Sequence, residues 1–213
     1  MRSPRFGLLL AALTGALSLW AYPRLPAAVA IHWGVSGRPD RYGSPLVAVL
    51  VIPLIILGLN GLLTVLPRID PRRANYERFR DSYWLLGNAV SVFLGFVHGL
   101  IIANGLGHSV SMAQLVPVGV GVLLIVIGSV LTRVQPNWFV GIRTPWTLSS
   151  DAVWRETHRV SGRVFIGGGL VIAAAAFAPP GAVVPLILGT VAALIAVPVV
   201  HSYLLWKSES RPK

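Results

Sequence analysis

The feature that most limits what this chain can fold into is the placement of its charges. Asp, Glu, Lys and Arg are absent from residues 6–23, 42–67, 82–132 and 164–206, which together hold 138 of the 213 residues. An ordinary soluble domain spreads charge through its sequence at roughly a quarter of all positions. Here the share is 12%, confined to the segments between the blocks. A helix crossing a hydrocarbon core of roughly 30 Å needs about 20 apolar residues, and the first two blocks each fit one such helix. The third block would run about 77 Å as a single helix at 1.5 Å per residue. It must therefore turn, and the cluster Asn104, Gly105, Gly107, His108, Ser109 is the place. The fourth block breaks at Pro179-Pro180-Gly181. The reading is an all-α polytopic membrane protein, one membrane domain over 1–213, with six spans near 6–22, 46–66, 84–103, 114–132, 163–178 and 182–205.

Orientation follows from the cations. With both termini cytoplasmic, 15 Lys and Arg lie inside and only Arg24, Arg38 and Arg41 lie outside, the asymmetry that sets topology. Trp20, Tyr22, Tyr83, Trp84, Tyr203 and Trp206 fall at span ends, where amphipathic rings favour the headgroup zone. Met1–Arg5 ahead of an apolar run also resembles a signal peptide. No small-x-small site follows it, so this segment is expected to remain as span 1. The absence of cysteine excludes a disulfide scaffold, a cysteine zinc site and a thiol nucleophile. The confined positive charge does not suit a soluble nucleic-acid binder, and no direct nucleic-acid contact is expected.

Within the spans, Asn88, Ser91, Gly95 and His98 are spaced to share one helical stripe. Gly95 and Gly99 form a GxxxG pair that permits close approach of another helix. Two readings of Asn60, Asn88 and His98 stand: a packing seam, or the polar path of a small transporter or channel. No HExxH, no GxSxG and no intramembrane carboxylate pair is present, so no enzyme activity, cofactor or metal is expected.

Two connecting segments carry the remaining information. Residues 23–45 form an extracytoplasmic loop with a short extended run at Ala30–Trp33, a turn at Arg38-Pro39-Asp40, and glycines at 34 and 37 suited to positive φ. His32 and Asp40 supply only two potential metal ligands, too few for a site, and His32, Trp33 and Tyr42 are expected to pin the loop to the interface. Residues 133–163 form a cytoplasmic loop. Gly141 gives it a flexible point, Thr144-Pro145 is biased to extended backbone, and Ser149 or Ser150 can cap a helix near Asp151. From Val153 the pattern turns helical, with Trp154, Thr157, His158 and Ser161 on one side and Arg155, Arg159 and Arg163 on another. Asp151–Arg155 and Glu156–Arg159 pairs are expected. This describes a short helix along the inner leaflet, its rings in the interface and its arginines towards lipid phosphates.

Composition does not account for the particular string in that loop. Asn137, then Gly141-Ile142-Arg143-Thr144-Pro145-Trp146-Thr147-Leu148, then Val153-Trp154 and Thr157-His158-Arg159 closely resemble the signature of the SdpI family. The outer stretch containing Pro26, His32, Trp33, Gly37, Pro39 and Asp40 is similar to the uncharacterised N-terminal module that often accompanies it. The resemblance implies a multi-pass protein of the bacterial cytoplasmic membrane that gives immunity to a secreted antimicrobial peptide. It further implies a peptide toxin as partner on the outer side and a small transcriptional repressor recruited on the inner side. The functional patch it implies is Asn137, Gly141, Arg143, Thr144, Pro145, Trp146, Thr147, Trp154, Thr157, His158 and Arg159. Those side chains can hold a phosphate or an acidic partner, or lock the loop to the ends of spans 4 and 5.

Overall fold

A computed structural model describes residues 3–34 and 36–209. Arg2, Arg211 and Lys213, three of the cations in the charge count, lie outside the described residues. Most of the chain is helical: α1 (Pro4–Ala21), α2 (Pro45–Ile69), α3 (Arg80–Gly105), α4 (Met112–Leu131), the short α5 (Pro145–Ser149), α6 (Asp151–Ala175) and α7 (Pro180–Glu209). Among the described residues five helices are long and apolar enough to cross a membrane, namely those of α1, α2, α3, α4 and α7. α6 is the exception because its first turns carry Asp151, Arg155, Glu156, Arg159 and Arg163.

Here the structure corrects the sequence reading. The expected short interfacial helix and the expected span from 163 are one unbroken helix, Asp151–Ala175. Neither Gly162 nor the Gly167-Gly168-Gly169 run interrupts it. The fold is also not purely helical, because β1 (Val29–Trp33) and β2 (Pro39–Gly43) pair antiparallel in a two-stranded hairpin. Pro39 and Asp40, expected in a turn, lie in β2. The chain reverses through Gly34–Gly37 instead, closed by Gly37 N–H to Gly34 O at 2.9 Å, with Gly37 at φ +74° and Gly34 not in the positive-φ region.

The helices form two groups, α1–α2–α3 and α4–α6–α7, joined along α3 and α4. The second group rests on glycines spaced by seven. A Cβ on Gly121 would lie 2.4 Å from the Gly169 carbonyl, and one on Gly128 would lie 2.6 Å from the Gly162 carbonyl. α4 and α6 therefore run antiparallel with their backbones in contact, the close approach on which helix association in lipid depends. Of the GxxxG pair, Gly95 packs on Leu10 and Thr14 of α1, whereas a Cβ on Gly99 would meet nothing. The hairpin, the α3–α4 turn and the α6–α7 turn share one end of the molecule; the 133–150 segment and the chain before α3 share the other.

Candidate functional site

At the end opposite the hairpin, residues 133–150 fold against the α2–α3 connection, and the bonds show why. Asn137 is fully buried. Its Oδ1 accepts from the Phe139 and Val140 amides at 2.9 and 2.7 Å, and its Nδ2 donates to the Gln135 and Val140 carbonyls at 2.9 and 2.8 Å. One side chain thus supplies the bonds of a turn, a common use of Asn. Gly141 follows at φ +115°, and a Cβ there would lie 2.5 Å from His158 Nε2. A side chain at this position would be both strained and obstructed.

That clearance lets His158 reach the loop. Its Nδ1 donates to the Trp154 carbonyl at 2.8 Å, one helical turn back, and its Nε2 accepts the Ile142 amide at 3.0 Å. The ring stacks on Trp154 at 4.2 Å between centroids. Only a neutral imidazole protonated on Nδ1 satisfies both bonds. Burial pushes its pKa down from the ordinary 6.5 to about 4. Trp154, expected in the interface, is instead wholly buried, with Nε1 donating to the Val134 carbonyl at 2.9 Å.

Thr144 and Thr147 form a reciprocal cap on α5. The Thr147 amide donates to Thr144 Oγ1 at 3.2 Å and the Thr144 amide donates to Thr147 Oγ1 at 2.9 Å. Pro145 at the first helical position suits this start. Thr144 Oγ1 also donates to Ser202 Oγ of α7 at 3.1 Å, and Trp146 lies 5.1 Å from the Tyr203 ring. Ser150 caps α6 through the Val153 amide at 3.2 Å and donates to Glu209 at 2.9 Å. Thr157 is fully buried on α6. Arg143, Pro145 and Arg159 remain exposed; Arg143 donates to the Trp138 carbonyl at 2.9 Å, and Arg159 pairs with Glu156 at 2.6 Å as expected.

The largest omission of the sequence reading is Asp70. This buried carboxylate accepts from the Arg72 amide at 2.7 Å, the Tyr76 hydroxyl at 2.8 Å and the Trp138 amide at 2.9 Å. Asn75 adds a bond to the Pro136 carbonyl at 2.8 Å, and Arg72 takes Asp151 at 2.7 Å, the partner expected to pair with Arg155. Tyr83 and Trp84, expected in the interface, are buried beside Tyr76, Phe79 and Trp154. The signal available was Asp70-Pro71, a turn initiator at the end of a helix beside an arginine run.

The polar residues of α1–α3 gather on one seam. Ser18 Oγ donates to the Val49 carbonyl at 2.7 Å and lies 2.9 Å from His98 Nε2. Asn60 Nδ2 donates to the Ile56 carbonyl at 2.8 Å, and Asn88 Nδ2 donates to the Ser3 carbonyl at 3.2 Å. Asn60, Asn88 and His98 are all buried there. The stripe on α3 therefore faces α1 and α2, as a packing seam does. At the other end, His32 Nδ1 lies 2.5 Å from Asp40 Oδ1 across the hairpin, and Trp33 is half-buried against the cluster of Val29, Ile101 and Met112. Gly37 lies against Ala113 of α4, while Pro26 precedes β1 on the exposed approach. Among the described residues no group of three His, Asp or Glu is placed to hold a metal.

Comparison with known proteins supports the same two segments. The SdpI/YfhL protein family model matches residues 133–202, and a domain of unknown function, DUF1648, matches residues 9–57. The chain is 25% identical over 177 residues to a protein named Immunity protein SdpI from Bacillus subtilis (strain 168), covering 83% of each chain. No solved structure matches it significantly. Its apolar helices and this relationship make it a multi-pass protein of the bacterial cytoplasmic membrane. The chain is thus similar to the SdpI/YfhL family over residues 133–202, with a DUF1648-like segment ahead of it at residues 9–57.

Proposed function

We propose that this is a six-span immunity protein, with both termini and the 133–163 segment cytoplasmic, the hairpin outside, and the apolar part of α6 as the sixth crossing. It protects its host against a secreted antimicrobial peptide. The observation that carries this reading is the 25% identity to an immunity protein over 83% of both chains; the distribution of Lys and Arg supports the orientation.

The contacts support a division of the motif by task. Asn137, Gly141, Thr144, Thr147, Trp154 and His158 hold the cytoplasmic loop in one shape, and Thr157 is buried on α6 behind them. The motif side chains left accessible are Arg143, Pro145, Arg159 and the edge of Trp146, with Trp138, half exposed, beside Arg143. These form the surface that recruits a repressor.

Expression in a sensitive bacterium tests the immunity reading: survival against peptides secreted by the source organism should rise. Unchanged survival with well-inserted protein refutes it. Alanine at Arg143 should abolish a co-encoded repressor's membrane recruitment while leaving insertion intact; equal loss of both makes Arg143 structural.

A further inference from the structure

The crevice between α3 and α4 holds two hollows in line, one charged and one apolar. The charged one, of about 610 Å³, lies where the chain enters α3 and leaves α4, with Arg78, Arg80, Ser82 and Arg133 on its walls beside Glu77 and Asp81. The apolar one, of about 470 Å³, runs from Leu85 to Phe96 along α3 and from Val126 back to Val118 along α4, with no polar side chain lining it. Spacing puts both on one face: Ser82, Leu85, Ala89, Phe93 and Phe96 step by 3, 4, 4 and 3 along α3. Leu85 to Phe96 covers about 17 Å at 1.5 Å per residue, about half of a hydrocarbon core of roughly 30 Å. The groove therefore has the depth of one leaflet, and the charged hollow stands at that leaflet's surface. Its deep end closes where Phe93 and Phe96 cover Gly119, on which a Cβ would lie 2.9 Å from the Phe96 ring. Val92, Phe96 and Val122 are exposed along it, so it opens sideways to lipid.

The charges inside the upper hollow narrow the occupant. Its two carboxylates already have partners: Glu77 stands 3.9 Å from Arg80, and Asp81 is not free. Among the described residues Arg78 and Arg133 make no ion pair. Ser82, only 6% exposed, makes no side-chain hydrogen bond there either. Two uncompensated guanidiniums and a free hydroxyl complement a phosphate, whose oxygens take a guanidinium in paired hydrogen bonds. A choline or ethanolamine headgroup would bring a further cation beside Arg78 and Arg133, whereas a headgroup with no cation would not. Below it, an apolar groove one leaflet deep matches an acyl chain. We propose that the α3–α4 crevice holds one anionic glycerophospholipid, its phosphate at Arg78 and Arg133 and an acyl chain along Leu85 to Phe96. The inference rests on α3 and α4 spanning the membrane, not on the immunity reading.

The chain has no cysteine, so Val122→Cys carries a single bimane fluorophore on the groove. The full chain is placed in phosphatidylcholine nanodiscs whose lipid is replaced stepwise by acyl-brominated phosphatidylglycerol or by acyl-brominated phosphatidylcholine. The anionic lipid should reach half-maximal quenching at about a tenfold lower mole fraction, a preference worth about 1.4 kcal/mol. Arg78→Gln with Arg133→Gln should bring the two curves together and leave the phosphatidylcholine curve where it was, which reports an intact groove. Arg155→Gln with Arg163→Gln removes two exposed cations from the first turns of α6, outside the hollow, and should keep the preference. Coincident curves in the unaltered groove overturn the site. Equal loss in both double variants also overturns it, because the preference would then follow general surface charge. Replacing chloride by inorganic phosphate at equal ionic strength should change nothing; a preference lost there would mean that the hollow takes a free anion and would overturn the lipid. Quenching by neither lipid would mean that another chain covers the groove, and would overturn it too.

Discussion

Acidification should release the 133–150 loop through His158. The folded loop requires the neutral ring, because Nε2 must accept the Ile142 amide while Nδ1 donates to Trp154. The folded-state pKa of about 4 lies below the ordinary 6.5, so the open loop binds the proton more readily than the closed one. The stabilisation is complete above pH 6.5 and is lost as pH falls towards 4, with a total of about 3 kcal/mol at 1.36 kcal/mol per unit. Amide exchange over residues 138–148, corrected for the intrinsic rate, reads this directly. Protection should be flat above pH 7 and fall by about two powers of ten by pH 4. Asp70 also holds this loop through the Trp138 amide. His158→Gln, which does not titrate, isolates the imidazole's share: its protection should be lower at pH 7 and lose less on acidification. Equal pH dependence in wild type and His158→Gln would refute the reasoning.

Three further outcomes follow from the same contacts. Asp70→Asn keeps the volume but replaces a carboxylate holding three donors with a group that has one acceptor oxygen, and should lower stability in mixed micelles by about 2 kcal/mol. Thr144→Val removes the α5 cap and the Ser202 bond, and should raise protease cleavage between 136 and 150, as expected for about 1–2 kcal/mol of lost local stability. Gly141→Ala forces a Cβ to within contact of His158 at a backbone angle that L-residues avoid; about 1–3 kcal/mol of strain should appear as faster exchange at Ile142, with insertion unchanged.

How much could be read in advance depended on the range of the interactions. Helix positions were legible because charge-free runs and Pro-Gly breaks are local signals; observed and expected ends of α2 and α4 differ by three residues or fewer. The Glu156–Arg159 pair and the Ser150 cap were legible because both partners share one helix. Asp70 was not, because its bond to the Trp138 amide joins residues 68 apart in sequence. Asp151 was assigned to Arg155 for the same reason: the nearer cation in the chain is not the nearer one in space. The continuity of α6 was hidden by composition. Its charged first turns and apolar remainder read as two elements, whereas backbone hydrogen bonding ignores the change of side chain. The hairpin was half legible, its first strand as an extended run, its second obscured by Pro39.

The glycines spaced by seven invite a test of whether α4 and α6 meet as rigid bodies. Gly121 and Gly128 are about 10.5 Å apart along α4 at 1.5 Å per residue, a separation at which two substitutions ordinarily add. Alanine at either would place a Cβ within 2.4 or 2.6 Å of a carbonyl oxygen on α6. Ordinary contact lies about 1 Å further out, and a helix cannot yield locally without breaking its own hydrogen bonds. The whole of α4 must therefore move away, thinning every contact along the crossing, at about 1–3 kcal/mol for the first alanine. Once α4 has moved, the second alanine finds its space already made. Gly121→Ala combined with Gly128→Ala should then be less destabilising than the sum of the singles, by about 1 kcal/mol or more in mixed-micelle unfolding. Strict additivity would mean that each carbonyl is accommodated by local bending, and that α4 and α6 are not the rigid pair their backbone contact implies.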